Sequence, residues 1–181
     1  MRVLLWILGL AVVAVVVIVG LSMLGAPKAS CADGAIAVSK AAEESFNTKW
    51  NGFQAAIRQG GSATVTLSEE EVTSRGVRYL ADSGVPARNL QVHLCPGQGK
   101  GQATLSMDVL GQSAQVVATG HLDLGLNPHQ IVVDSLEVGM VPEQIGTLAA
   151  NQVLAAANIQ APNEIQEITT TSAAATLRGQ K

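Results

Sequence analysis

Two hydrophobic regimes divide the chain. From Val3 to Leu24 every residue is apolar or small and none is charged, with Ser22 the one hydroxyl. About 20 such residues, at ~1.5 Å rise each in a helix, cross a hydrocarbon core ~30 Å thick. A helix satisfies its own backbone groups in lipid, so this run is expected to be helical despite its β-branched valines. A cleaved signal peptide has a shorter apolar region, roughly 7–15 residues. The length therefore favours a retained anchor over a cleaved leader. The division that follows is an anchor over 1–25, a linker over 26–34 broken by Pro27 and Gly34, and one domain over 35–181.

Beyond the linker the apolar period switches between 3.6 and 2. Phe46, Trp50, Phe53 and Ile57 fall at i, i+4, i+7 and i+11, which predicts a helix within Ala35–Gln59. Packing of that stripe on the domain is the expected role; a helix lying in the membrane interface is the alternative. Gly60-Gly61 ends the helix and Ala63–Leu67 reads as a short strand. Ser68 and Glu71 then make a capping box, and the acidic Glu69-Glu70-Glu71 turn suits a helix N-terminus. Val72, Gly76, Tyr79 and Leu80 form the inner side of that second helix, which Gly84 and Pro86 stop.

From Asn89 the period is 2. Leu90, Val92 and Leu94 share one face, opposite Gln91, His93 and Cys95. Ala103, Leu105, Met107 and Val109 repeat the pattern, as do Ala118, Gly120, Leu122 and Leu124 within Ser113–Leu126. Ile131–Val138 follows after a short turn, so these strands predict an antiparallel meander. Ile145, Leu148, Ala149, Val153 and Ala156 restore the helical period after Pro142. Ile165–Leu177 reads as one last strand, with Arg178–Lys181 a frayed tail. The fold class is α+β: an N-terminal transmembrane helix, then an antiparallel meander packed with two to three helices.

Charge narrows the partners. Arg2 is the only charge before Pro27, so ten of the 11 Lys/Arg and all 14 Asp/Glu lie beyond the anchor, a net of −4. That excess speaks against nucleic acid, whose phosphates demand a basic face, and against a polybasic grip on anionic headgroups. Arg2 and the amino terminus set a cytoplasmic N-terminus and an extracytoplasmic domain in the cell membrane, single-pass. Ala29 and Ser30 before Cys31 suit a lipobox, but Lys28 stands where an aliphatic residue belongs. An oxidising compartment would let Cys31 and Cys95 pair and close a loop of about 65 residues; two unpaired thiols are the alternative.

Candidate chemistry changes little. His121 and Asp123 share a strand face, but spacing supplies no third ligand, and His93 and His129 read as surface histidines. Gly97, Gly99 and Gly101 run into a strand, whereas a phosphate loop leads into a helix. The three consecutive glutamates point in different directions around a helix and so make no metal site. No nucleophile–base arrangement follows from the spacing, so no catalytic residue, cofactor or metal is expected, and no enzyme.

One pattern carries a resemblance. "VTLSEEEVTSRGVRYL" leads into "ARNLQVHLCPGQGKGQATLSMDVLGQSAQVVATGHLDL", then "IVVDSLEVGMVPEQIGTLAANQVL" and "IQEITTTSAAATLRG", spanning Thr64 to Gly179. This resembles single-pass bacterial membrane proteins in which a Thr/Ser-Glu-Glu helix precedes a curved antiparallel sheet. Their second helix starts at a Gly-x-hydrophobic-Pro turn, here Gly139 to Pro142. Some of these are similar to tubular lipid-binding domains, in which a helix lies in a curved sheet beside an apolar groove. The resemblance implies a non-enzymatic module that binds lipid or another elongated apolar ligand. A scaffold of the cell envelope that docks a protein partner is the other expectation.

Overall fold

The computed structural model describes residues 34–83, 87–97, 99–109, 112–126, 129–139, 147 and 162–181. The expected anchor, Cys31 and nearly all of the expected third helix lie outside them. Among the described residues, no helix is long and apolar enough to cross a membrane.

The domain is α+β. Helix α1 (Lys40–Arg58) starts at Ser39, whose hydroxyl accepts the Ala42 amide at 3.1 Å. It ends where Gly60, at φ 85°, turns back to the Ile57 carbonyl. Strand β1 (Ser62–Ser68) follows and runs directly into helix α2 (Glu69–Ser83). Four strands then form the predicted meander: β2 (Ala87–Leu94), β3 (Lys100–Val109), β4 (Gln112–Asp123) and β5 (Gln130–Val138). They lie side by side in chain order, antiparallel throughout.

The C-terminus departs from the sequence reading. Instead of one strand over Ile165–Leu177 there are two, β6 (Ile165–Thr170) and β7 (Ala174–Gln180), and the expected frayed tail belongs to β7 except for Lys181. The turn lacks glycine and proline. Thr171 supplies the missing signal, its hydroxyl accepting the Ala173 and Ala174 amides at 3.4 and 3.1 Å. This hairpin pairs with β1 in a second sheet, ordered β1-β7-β6.

The helical stripe settles on that second sheet. Phe53 and Ile57 are buried with Val65, Leu67, Ile165, Ala175, Leu177 and Leu94, and Phe46 and Trp50 pack against the cluster. Trp50 lies between its aromatic neighbours, with centroids 6.2 Å from Phe46 and 5.6 Å from Phe53. Burial of Phe53 or Ile57 stabilises the fold by about 2–3 kcal/mol each. The stripe is thus core, not a membrane-interfacial face.

Helix α2 closes the free edge of the meander. Glu69 Oε1 accepts the Leu94 amide at 2.7 Å, and Thr73 Oγ1 accepts the Val92 amide at 3.0 Å. One turn further on, Gly76 lies so close to Leu90 that an added Cβ would come within 2.7 Å of Cδ2. Residues 69, 73 and 76 share a helix face that meets the Leu94 and Val92 amides and then the Leu90 side chain, so the helix runs along β2. An exposed edge invites pairing with other chains, and α2 removes that hazard. The far edge is treated alike at one point, where the Thr147 hydroxyl accepts the Leu136 amide of β5 at 2.9 Å. Thr73 is fully buried. Thr73→Val, which keeps the shape and deletes the acceptor, is expected to lower unfolding free energy by about 1–2 kcal/mol, read as a reduced urea midpoint.

Candidate functional site

Three regions gather polar or accessible groups. The first is the acidic turn of α2. Its three glutamates bond different partners, one on β2 and two at α1. Glu69 holds the β2 edge, Glu70 accepts the Ser39 hydroxyl at 3.1 Å, and Glu71 completes the capping box. The Ser68 amide donates to Glu71 Oε2 at 2.9 Å, and the Glu71 amide to Ser68 Oγ at 3.2 Å. Glu71 also receives the Ser45 hydroxyl at 2.5 Å and the Lys49 ammonium at 2.7 Å, both from α1. Burial pushes the Glu71 pKa up, but hydrogen bonds from Lys49, Ser45 and the Ser68 amide, with the Lys49 charge, outweigh it and hold the carboxyl below its ordinary value. Each of the three carboxylates has a structural partner. The turn is a joint between helices and sheet.

His93 corrects the alternation argument. It is 5 % exposed, with Nδ1 3.7 Å from Glu69 Oε2, rather than solvated. Alternation along β2 assumes that one face stays wet, and the start of α2 folds over that face. His121 instead pairs with Asp134 at 2.9 Å, while Asp123 accepts the Gly125 amide at 2.8 Å. His129 Nδ1 lies 2.9 Å from the Leu126 carbonyl oxygen. Among the described residues, no three His, Cys, Asp or Glu side chains converge as a metal site would require. Gly97 and Gly99 serve the β2–β3 turn at φ 145° and 67°, where Cys95 donates to the Lys100 carbonyl at 3.0 Å. Cys95 is disulfide-bonded. Cys31, the sequence's other cysteine, lies outside the described residues.

The second region is a slot of about 440 Å³ between the two sheets. One wall is His121–Gly125, the end of β4 and its exit; the other is Gln166–Thr169 of β6. Leu122, Leu124 and Ile168 pack toward the core, and Asp123 and Glu167 bring two carboxylates to the lining. Paired hydrogen bonds between Gly97 and Thr170 (3.0 and 2.9 Å) fix one end. The His129 amide, donating to Asn163 Oδ1 at 3.2 Å, fixes the other. Sequence spacing missed this slot because its walls are some 40 residues apart and meet only through the unforeseen β6–β7 hairpin.

The third region is the apolar face of the meander. The register aligns Val92, Ala103, Ala118 and Leu136 across all four strands. Leu105, Val116 and Val138 form the adjoining row. Val116 is buried, but Val92, Ala103, Leu105, Ala118, Leu136 and Val138 are only partly covered. The opposite face carries His93, Gln102, Thr119 and Ser135 in one row. A bulge re-aims β4–β5 at Gly120, where a Cβ would meet the Val132 carbonyl oxygen at 2.6 Å. The sheet therefore carries an apolar strip that is half-buried along its length, with Val116 buried within it. No protein-family model matches the chain, and no curated protein or solved structure matches it either.

Proposed function

We propose that this chain is a membrane-tethered, extracytoplasmic, non-enzymatic module that binds a lipid or another elongated apolar ligand along the apolar face of its meander. The half-covered row Val92, Ala103, Ala118, Leu136, with Leu105 and Val138 beside it, is the observation that carries this reading. An apolar strip of that kind gains from any chain that removes it from water, at about 25 cal/mol per Å² buried. The uncharged run 3–24 would hold the domain beside its ligand's source. We place the partner of Cys95 at Cys31, which would tie the linker after the anchor to the β2–β3 turn.

The test is uptake of a fluorescent fatty acid by the delipidated full chain. Saturable uptake is expected, weakened about tenfold when Leu105→Gln puts an amide into the strip, by roughly the free energy of a buried polar group. No saturable uptake, or equal uptake by the variant, would overturn the proposal. The rival reading, docking of a protein partner, is favoured by a separate observation at the β4–β6 slot.

A further inference from the structure

Among the described residues the three-stranded sheet ends at β6, which pairs with β7 on one side and on the other is joined at Thr170 to Gly97. The hairpin register decides where its backbone groups point. The Thr171 amide donates to the Ala174 carbonyl at 2.9 Å, and Thr169↔Thr176 and Glu167↔Arg178 continue as the rungs of that ladder. Thr170 sits between rungs and turns both its amide and its carbonyl away from β7, to Gly97. Ile168, two residues earlier, has the same orientation. Its amide and carbonyl therefore also point away from β7, on the side where Gly99 lies so close that an added Cβ would come within 2.8 Å of Ile168 Cγ2.

We propose that this slot receives an extended peptide segment of a partner protein, added as a strand to β6 at Ile168 and carrying a lysine or arginine beside Asp123 and Glu167. The wall 166–169 accommodates roughly four extended residues at ~3.3 Å each, between the Gly97–Thr170 and His129–Asn163 closures. Alternate side chains of such a segment would enter over Leu122, Leu124 and Ile168; the others would face the carboxylates. Those carboxylates select the sign. His121 is engaged by Asp134, and Arg178 reaches Glu167 only at 4.0 Å with both side chains 63 % exposed, a weak pair that leaves the acidic lining largely uncompensated. A fatty-acid carboxylate or phosphate headgroup would meet the same charges unfavourably, which separates this slot from the apolar strip.

Random heptapeptides displayed on phage and panned on the full chain in detergent provide the test. Enriched peptides are expected to alternate apolar and basic residues. Ile168→Pro deletes the amide that points away from β7 without removing a rung to it, and is expected to weaken such a peptide about tenfold. Glu167→Lys is expected to weaken it similarly and, on re-panning, to enrich acidic peptides, while fatty-acid uptake stays unchanged. Hydrogen exchange covers the case in which the proline variant fails to fold: peptide should slow the Ile168 amide in the wild-type chain and leave the Thr169 amide, already in the ladder, as it was. Panning that yields no alternating basic peptide would overturn the proposal. So would selected peptides that bind Glu167→Lys as well as wild type and leave Ile168 exchange unaltered.

Discussion

Glu71→Ala is expected to destabilise the domain by about 3 kcal/mol. The substitution removes half of the capping box, worth about 1 kcal/mol, and leaves the Ser68 amide without its acceptor. It also leaves the Ser45 hydroxyl of the facing helix without this acceptor and the Lys49 ammonium with the Thr66 carbonyl in place of a counter-charge. Lys49 keeps 44 % of its side chain exposed, so water recovers part of that charge and the loss stays below that of a fully buried pair. The same contacts set a pH dependence. The Glu71 carboxyl is held below its ordinary value of 4.5, so its contribution is complete above that pH and is lost as pH falls through the folded-state pKa. Urea midpoints of the wild type should therefore decline on acidification below about pH 4.5. Those of Glu71→Gln should start lower and decline less.

Gly179→Ala should be comparably damaging, at about 3 kcal/mol, for a steric reason. A Cβ there would stand 2.6 Å from Ile57 Cδ1, 2.7 Å from Phe53 Cζ and 2.9 Å from the Glu164 carbonyl oxygen. The two side chains belong to the core cluster and the third atom is backbone, so relief in one direction tightens another. Gly52→Ala on α1, the helix that carries Phe53 and Ile57, is the control. Nothing lies within 4 Å of its Cβ position, and helix propensity predicts no loss or a gain of up to about 1 kcal/mol. Equal midpoints for both alanine variants would show that α1 does not pack on β7 as described.

The residues that spoke clearly in sequence were those whose partners are near in the chain. Ser68 and Glu71 are three apart, and their reciprocal bonds formed as the capping box predicts. The stripe from Phe46 to Ile57 and the alternation from Val92 to Val138 likewise report on a single element and its faces. What stayed hidden was set by distant partners. Val65 pairs with Leu177, more than a hundred residues away, and nothing in either segment specifies that choice. The β6–β7 turn rests on one threonine hydroxyl in a run of threonines and alanines, where no stronger turn residue marks the place. His93 was misplaced for the same cause: burial depends on what a neighbouring helix covers. Of the functional regions, the apolar strip was legible as period 2, and the slot was not legible at all.

The central claim is that the meander's apolar face holds an elongated apolar ligand. Photo-crosslinking of the full chain with a diazirine-bearing fatty acid in lipid vesicles, followed by peptide mapping, tests it most directly, because label on the apolar run 3–24 is distinguished from label on the domain. The account predicts adducts on β3, β4 and β5, at or beside Ala103, Leu105, Ala118, Leu136 and Val138, and their loss in Leu105→Gln. Adducts confined to residues 3–24 would contradict it.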